Sequence, residues 1–356
     1  MFNRPLIAID IGASSVKVLE LQGSEKKRLS SMGIEVLPSG TYEDGFVQDS
    51  QSLIKIIDGL LSKLKISPRG RRVALSIGGT SVLLKRVDIV PDKTSDLGEQ
   101  IFYEAQQQFQ HDMEDMYFRY QEIPSNWIPN DKKAIVMVGA KREAIEQKID
   151  IIKSMGFRIG VVDCDILSIT NMFEFNYPVA DALIATVNVG ANNTQIILSY
   201  NGEFLFSREI FIAGSEYTTR IAEHMEVDLD NAESLKISAS LGDGSVSGDL
   251  SSAMDEVSQQ LATEIESTIS FFLEDDQLPQ EFRQQAFVFI CGGASRSLGL
   301  DATVAASLRI PVQIINPFQR VDVKSSQFEL DYILSQGPVF GNAVGLALRR
   351  FGDSAA

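Results

Sequence analysis

The first apolar segments of the chain alternate with turns of small polar residues. An apolar run ends at Asp10, a turn begins at Gly12, and a second apolar run starts at Val16. A run of this kind on each side of a glycine-containing turn predicts a β-hairpin. The same order of residues recurs half a chain later, where Asn188 precedes a turn that begins at Gly190. The sequence therefore predicts an internal duplication with one hairpin in each half.

Between the hairpins, the spacing of apolar residues predicts a strand–helix–strand–strand module. The predicted elements are a β-rich run over 72–90, a helix marked by Leu97, Ile101, Ala105 and Phe109, strands over 117–123 and 134–140, a helix over 142–155 and a strand over 158–163. In the second half, Ser215 is placed to cap a helix that runs to Met225. An apolar stripe over 251–274 predicts a long core helix.

Composition excludes several classes of function. The chain has 32 Lys and Arg against 48 Asp and Glu, a formal net charge of −16, which disfavours binding to nucleic acid or to an anionic bilayer. Its two cysteines and two histidines, Cys164, Cys291, His111 and His224, are too few for a disulfide framework or a His/Cys metal cluster. No signal peptide and no apolar run of roughly 18 residues is apparent. We expect a cytoplasmic protein without direct membrane insertion.

The two predicted turns have the composition of anion-binding turns. Glycine and short hydroxyl or amide side chains allow backbone N–H groups to approach a phosphate closely. The candidate phosphate-binding residues are Asp10, Gly12, Ala13, Ser14, Ser15 and Lys17 in the first hairpin, and Asn188, Gly190, Ala191, Asn192, Asn193, Thr194 and Gln195 in the second. Two such turns can hold a polyphosphate between them. The alternative is that both are plain structural hairpins.

A third glycine-rich turn follows the apolar run that ends at Cys291. Strand, glycine turn and helix start together are a common nucleotide-contact geometry, although Gly-Gly after a strand is often only a turn. Glu233 and Lys236 lie three residues apart on a predicted helix, either as a surface ion pair or as contacts to a ribose or base. The candidate adenosine-binding residues are Gly214, Glu233, Lys236, Gly292, Gly293, Ser295 and Arg296. Neither a P-loop nor a Rossmann fingerprint is present.

These motifs together resemble the actin/Hsp70/sugar-kinase superfamily. The segments from Asp10 to Lys17 and from Asn188 to Gln195 look like its two phosphate motifs, and Gly292 to Ser295 looks like its adenosine motif. Gly214 is matched to the first connecting segment and Gly341–Gly345 to the second. The resemblance implies a bilobed actin-like α/β fold with two duplicated mixed-sheet lobes. It further implies ATP as ligand, with Mg²⁺ held indirectly through Asp10.

The module between the hairpins is similar to the inserted 1C (SHS2-like) subdomain of FtsA and of the PilM family of type IV pilus assembly proteins. The opening motif, the run from Tyr103 to Phe109 and the lack of a C-terminal membrane helix favour the PilM family. The resemblance implies a cytoplasmic adaptor whose 1A/1C cleft binds the N-terminal peptide of the inner-membrane protein PilN, alongside other pilus assembly components. The expected division is 1–71 for the first lobe, 72–160 for the insertion, 161–185 for a return to the first lobe, 186–340 for the second lobe and 341–356 for a C-terminal helix packed on the first lobe.

The chain departs from the superfamily at Asn188. Hydrolysing relatives have Asp at this place, where it helps to organise magnesium and the attacking water. An amide carries no negative charge and is a poorer partner for a hard divalent cation. We therefore expect nucleotide binding with slow or negligible hydrolysis. Two alternatives stay open: an FtsA-like filament-forming protein of cell division or the envelope, and a small-molecule kinase of the same fold.

Overall fold

A computed structural model describes residues 5–43, 45–92, 94–109, 112–242, 246–275 and 278–352. His111, one of the four Cys and His residues judged too few for a metal cluster, and residues 353–356 of the predicted C-terminal segment lie outside these ranges. Among the described residues, no helix is both long and apolar enough to cross a bilayer.

The first half of the chain forms a mixed five-stranded sheet and a separate three-stranded sheet. The elements in order are β1 Ile7–Ile11, β2 Ser15–Gln22, β3 Arg28–Val36, β4 Tyr42–Glu43, β5 Phe46–Val47, α1 Ser50–Lys63, β6 Arg72–Ile77, β7 Val82–Ile89, α2 Leu97–Phe109, β8 Met116–Ile123, β9 Lys133–Lys141, α3 Arg142–Ser154, β10 Arg158–Cys164 and α4 Asp165–Asn176. The five-stranded sheet has the order β10-β6-β1-β2-β3. Helices α1 and α3 cover one of its faces through residues such as Leu53 and Ile152.

The second half repeats this sheet. Its elements are β11 Leu183–Val189, β12 Thr194–Tyr200, β13 Glu203–Ile210, α5 Gly214–Met225, α6 Leu229–Leu241, α7 Gly248–Leu273, β14 Ala286–Cys291, α8 Leu300–Leu308, β15 Val312–Ile314, α9 Leu330–Gln336 and α10 Gly341–Leu348. The order β15-β14-β11-β12-β13 matches the first sheet strand for strand, with antiparallel pairing in the hairpin and parallel pairing on its other side. The predicted duplicated, bilobed α/β fold is confirmed.

Two helices join the lobes. Helix α4 leads from β10 of the first sheet to β11 of the second, and α10 packs beside it, where Ser168 Oγ donates to the Asn342 carbonyl at 2.8 Å. The match of Gly214 to the first connecting segment is therefore wrong. Gly214 begins α5 inside the second lobe, and α4 is the segment that connects the lobes. The expected helix at Gly341 is present as α10.

The inserted part is a three-stranded antiparallel sheet in the order β7-β9-β8, with α2 on one face. Strand β6, which the sequence analysis placed in the insertion, pairs with β1 in the first sheet, and α3 packs against that same lobe. An apolar run such as Arg72–Ile77 does not reveal from sequence which sheet it joins. We propose that the inserted subdomain extends from Val82 to Lys141, narrower than 72–160.

The helices predicted from periodicity lie close to their expected places. Helix α2 spans Leu97–Phe109, and α3 ends at Ser154, one residue before the predicted end. The predicted cap at Ser215 is wrong, because α5 begins at Gly214 and its N-cap residue is Ala213. The Ser215 N–H instead donates to the Ala191 carbonyl at 2.7 Å, so that the helix start is tied to the second hairpin turn.

Candidate functional site

The first hairpin presents an ion pair beside its turn. Asp10 lies one residue before the end of β1 and is paired across the hairpin with Lys17 of β2, whose Nζ lies 3.3 Å from Asp10 Oδ2. The turn is closed by a hydrogen bond from Gly12 N–H to the Ser15 carbonyl at 3.0 Å. A side-chain carbon added at Gly12 would lie 3.6 Å from Lys17 Nζ, so the ammonium group is beside the turn. Both charged side chains are about nine-tenths buried.

A polar cluster that the sequence analysis missed surrounds Asp10. The Asn342 amide nitrogen, at the start of α10, lies 2.9 Å from Asp10 Oδ1, 2.9 Å from Ser76 Oγ and 3.0 Å from Asp165 Oδ1. Lys148, 2% exposed, donates to the Ser76 carbonyl at 3.0 Å. The motif matched at Gly341–Gly345 contains Asn342. Its role could not be read there, because its partners come from three other elements.

Burial gives the Asp165 carboxyl an unusual environment. Desolvation raises its pKa, and the neighbouring Asp10 carboxylate raises it further, against the opposing effect of Lys148 and of hydrogen bonds from Ser76 and Asn342. Two acidic groups and two ammonium groups are thus held close together at the carboxyl ends of β1, β6 and β10. This arrangement is suited to a ligand that brings its own mixture of negative phosphate and positive metal charge.

The second hairpin has the same backbone and different side chains. Gly190 N–H donates to the Asn193 carbonyl at 2.9 Å, which is the counterpart of the bond that closes the first turn. Asn188 and Gln195 are paired in register and joined by a hydrogen bond of 3.3 Å from Asn188 Nδ2 to Gln195 Oε1. An amide pair therefore stands where the first hairpin has an ion pair.

The turn after β14 and the start of α5 pack onto this hairpin. Gly214 N–H donates to the Gly190 carbonyl at 3.0 Å, and Ala294 N–H donates to the Val189 carbonyl at 3.0 Å. Gly292 has a φ of +98°, and a side chain there would collide with the Val189 carbonyl, so this close approach requires glycine. Three predicted motifs that are far apart in sequence are thus adjacent in the second lobe.

The predicted pair on α6 reaches the same place. Lys236 Nζ lies 2.6 Å from Glu233 Oε2 and donates to the Gly214 carbonyl at 3.0 Å and to Thr218 Oγ1 at 2.9 Å. The Lys236 side chain is 12% exposed, while that of Glu233 is 45% exposed. Glu233 and Lys236 are therefore more than a surface ion pair, because Lys236 also binds the start of α5, which carries Gly214.

Several of the predicted ligand-binding residues instead make hydrogen bonds to the protein's own backbone. Ser295 is buried and its hydroxyl donates to the Gly292 carbonyl at 2.8 Å, within its own turn. Arg296 donates to the Ser335 carbonyl at 2.7 Å. Thr194 is fully buried, with its hydroxyl bonded to the Ile212 carbonyl at 2.7 Å. Gly293, by contrast, faces open space, with no atom within 4 Å of an added side-chain carbon.

A cleft between the lobes lies beside Gln195 of the second hairpin and beside Asp165, which shares the Asn342 amide with Asp10 of the first hairpin. A side-chain carbon added at Gly79 of the first lobe would lie 3.8 Å from Asn193 Nδ2 in the second. A cavity of about 140 Å³ is lined by Asp165 from the first lobe and by Gln195 and Glu209 from the second. Desolvation raises the pKa of Glu209, which Asn193 partly offsets through its hydrogen bond. Acidic groups from both lobes therefore meet in this cleft.

The turns have backbone donors to offer. Within the described ranges, the N–H groups of Ala13, Ser14, Ala191 and Asn192 make no hydrogen bond to the protein. Unpaired amides on the two turns, with Lys17 beside one of them, fit a polyphosphate. The facing carboxylates would repel phosphate unless a cation is bound with it, which fits a nucleotide bound together with Mg²⁺.

A larger groove adjoins this cleft and has a volume of about 1270 Å³. One wall is the face of the inserted sheet opposite α2, and the other is the edge strand β10 with helix α4. Its apolar lining includes Val136, Val138, Ala140, Val161, Val162 and Leu167. The far end is formed by the β12–β13 turn of the second lobe. Ile77, Val82 and Cys164 line both the groove and the cleft.

Arg86 fastens the inserted sheet to the second lobe at this far end. Its Nη1 lies 2.8 Å from Glu203 Oε1 and donates to the Phe204 carbonyl at 3.0 Å. The guanidinium lies 4.6 Å from the Trp127 ring, and Trp127 Nε1 donates to the same Glu203 carboxylate at 3.0 Å. Because Arg86 is only 6% exposed, this contact is well shielded from solvent.

Comparison with known proteins agrees with this architecture. A family model for the type IV pilus assembly protein PilM matches residues 8–351. Among solved structures, the chain is similar to one described as the PilM-PilN type IV pilus biogenesis complex, with 21% identity, 98% of each chain covered and a TM-score of 0.84.

Two more distant structures share the fold. The ethanolamine utilization protein EutJ from Carboxydothermus hydrogenoformans has 14% identity over 97% of this chain and 92% of its own, with a TM-score of 0.58. MreB 5 of Spiroplasma citri, bound to AMPPNP, has 14% identity over 96% and 94%, with a TM-score of 0.52. Since the family model spans nearly the whole sequence, the chain belongs to the family of the type IV pilus assembly protein PilM.

Proposed function

We propose that the protein is a cytoplasmic, ATP-binding adaptor of type IV pilus assembly, which binds the N-terminal segment of a PilN-like inner-membrane protein and, through it, other components of the machine. The observation that carries this proposal is the shared wall between cleft and groove. Ile77, Val82 and Cys164 line both, so ligands in the cleft and in the groove would contact the same three residues.

The cleft supplies the nucleotide site. The unpaired amides of the two turns bind the phosphates, and Lys17 neutralises part of their charge. Gly293 leaves open space on the adenosine side, and Lys236 is bound there to the carbonyl of Gly214. Asp10 and Asp165, which are positioned by Asn342, are the residues that would hold Mg²⁺. When bound, the metal supplies charge neutralisation for the phosphates.

Hydrolysis is proposed to be slow or absent. Efficient phosphoryl transfer to water needs a group that orients the attacking water and a well-organised metal. In the second hairpin Asn188 carries no charge, and its amide is occupied by Gln195. Bound ATP then acts by holding the lobes in one arrangement, which shifts partner affinity only to the extent that the two arrangements bind the partner differently.

The groove supplies the partner site. Its walls include the edge strands β8 and β10, whose outer backbone groups are not paired within their sheets, and an apolar floor lies between them. Free strand edges beside apolar pockets are suited to an extended peptide, which adds backbone hydrogen bonds and places alternate side chains in the pockets. The complex described for the similar PilM structure supports PilN as the kind of partner.

The test measures the binding of each ligand to the unaltered chain and to one variant that should prevent it. Mg-ATP at 100 times its dissociation constant should add about 2.7 kcal/mol to the unfolding free energy, and Gly12→Val, which pushes on Lys17, should abolish this. The partner's N-terminal peptide should bind the unaltered chain, and Ala140→Trp, which fills the groove, should prevent binding. ATP stabilisation that persists in Gly12→Val, or peptide binding that persists in Ala140→Trp, would place the ligands elsewhere.

A further inference from the structure

One carboxylate in the groove has no partner. Glu174 lies on α4 and lines the groove opposite the β12–β13 turn, where a side-chain carbon added at Gly202 would be 3.5 Å from Glu174 Oε1. Within the described part of the chain it makes no hydrogen bond or ion pair. Desolvation alone raises its pKa, so no neighbouring cation acts on it. Glu174 is nevertheless exposed to solvent in the open groove, and its carboxylate lacks a counter-charge among the described residues.

The cations nearest the groove are committed to other acids or to the backbone. Arg86 is bound by Glu203, and Arg349 Nη1 lies 3.0 Å from Asp163 Oδ2. Arg119 of β8 donates to the Phe118 carbonyl at 2.7 Å. The end of the groove at the second lobe is instead acidic. Glu281 lines it as well, and the pKa of Tyr200 is raised by desolvation and, in addition, by Asp181 and Glu281.

A second unpaired group lies one turn of helix from Glu174. The Asn171 Nδ2 group is buried and makes no hydrogen bond to the described residues, and Asn171 also lines the groove. Residues three apart on a helix share a face, so the Asn171 donor and the Glu174 acceptor point to the same part of the groove. A buried donor without a partner destabilises the folded protein, and a ligand that accepts this hydrogen bond removes that cost.

We propose that Glu174 selects the partner by binding a positive charge on it, at the end of the groove formed by the second lobe. The bound segment is extended and apolar where it crosses Val138 and Ala140, and it carries an amine or guanidinium that pairs with Glu174. Asn171 donates to a carbonyl of the same segment. This inference rests on the proposed function, since it assigns the specificity of the same groove.

A consequence is that the partner touches both lobes. The cationic group lies between α4 and the β12–β13 turn, which Arg86 and Glu203 hold against the inserted sheet. A charge supplied by the partner at this point offsets the negative potential of Glu174 and Glu281 and draws the turn towards α4. The affinity for the partner therefore depends on how the two lobes are arranged. It does not depend only on contacts with the first lobe and the insertion.

The experiment compares Glu174→Gln with Glu99→Gln in the full-length chain. Glu99 is an exposed residue of α2, on the face of the inserted sheet opposite the groove, so it controls for the change in net charge. The probe is a synthetic peptide with the N-terminal sequence of the PilN-like partner, measured by calorimetry at low and high salt. Glu174→Gln should weaken binding about tenfold and reduce its salt dependence, whereas Glu99→Gln should bind as the unaltered chain does.

Two modified peptides identify the source of the charge. If the α-amine pairs with Glu174, N-acetylation weakens binding to the unaltered chain and has no effect on Glu174→Gln. If a Lys or Arg side chain of the peptide pairs with Glu174, replacing that residue by Gln weakens binding to the unaltered chain and has no effect on Glu174→Gln. Equal affinity of Glu174→Gln and the unaltered chain for all peptides would overturn the inference. The proposed function would still stand in that case if Ala140→Trp abolished binding, and would fail if Ala140→Trp bound normally.

Discussion

Asp10 and Lys17 in the first lobe occupy the same places in their hairpin as Asn188 and Gln195 in the second. Both pairs are in register across antiparallel strands, and in both hairpins a glycine N–H closes the turn onto a carbonyl three residues later. The first pair is an ion pair and the second an uncharged amide pair. The duplication has preserved the backbone that approaches a ligand, while charge is concentrated on one side of the cleft.

This difference indicates that the two lobes contribute differently to ligand binding, the first through charge and the second through its backbone. The first hairpin can neutralise phosphate and support a cation, because it has both signs of charge within 3.3 Å and a supporting cluster around Asn342. The second hairpin can position a ligand through its backbone and through the packing of Gly214 and Gly292. Four predictions test this comparison, in order of decreasing expected effect.

Lys17→Met should have the largest effect, on ATP affinity. It removes a charged hydrogen-bond donor, worth about 1.5 to 3 kcal/mol, and leaves Asp10 facing the phosphates. We expect affinity to fall between about tenfold and a hundredfold by calorimetry. The matched change in the second hairpin, Gln195→Met, should cost less than about fivefold, because no charge is lost. An equal loss of ATP affinity in the two variants would contradict the different roles of the two hairpins.

Gly190→Ala and Gly12→Ala compare the two turns by stability. A side-chain carbon at Gly190 would lie 2.8 Å from the Asn193 carbonyl oxygen, whereas at Gly12 the nearest backbone oxygen is 3.5 Å away. Gly190→Ala should therefore lower the unfolding free energy by about 1 to 3 kcal/mol, and Gly12→Ala should change it by less than about 1 kcal/mol. Urea denaturation measures both. A larger loss in Gly12→Ala would show that the first turn is the tighter one.

Asn188→Asp, alone and with Gln195→Lys, rebuilds the ion pair in the second hairpin. Alone, the new carboxylate is half-buried beside Gln195 and Cys291, without a cation, and should cost about 1 kcal/mol of unfolding free energy. The double variant should recover most of this loss, which a double-mutant cycle measures as a coupling of at least about 0.5 kcal/mol. Additive effects would mean that the second hairpin cannot reproduce the geometry of the first.

The two hairpins could be predicted from the sequence, but part of the polar cluster beside the first hairpin could not. The two glycine turns and their flanking apolar runs are local patterns, so the hairpins, the duplication and helices α2 and α3 were correctly predicted. Asp165, Asn342 and Lys148 were missed because each begins or lies in a helix whose position beside Asp10 depends on tertiary packing. The membership of β6 in the first sheet was missed for the same reason.

Asp165→Asn should have the smallest effect, on the pH dependence of stability. Desolvation and Asp10 raise the pKa of Asp165 in the folded state above the ordinary value of 3.8. The folded protein then binds this proton more strongly than the unfolded chain, so the unfolding free energy falls as pH rises from 3.8 through the raised pKa. Asn cannot titrate, and the variant should lose this part of the slope. Urea denaturation of the nucleotide-free protein across that interval measures it, with Glu99→Gln as control. An unchanged slope in Asp165→Asn would mean that Lys148 and the hydrogen bonds from Ser76 and Asn342 already compensate the buried carboxyl, so that the charges beside the first hairpin do not destabilise the fold.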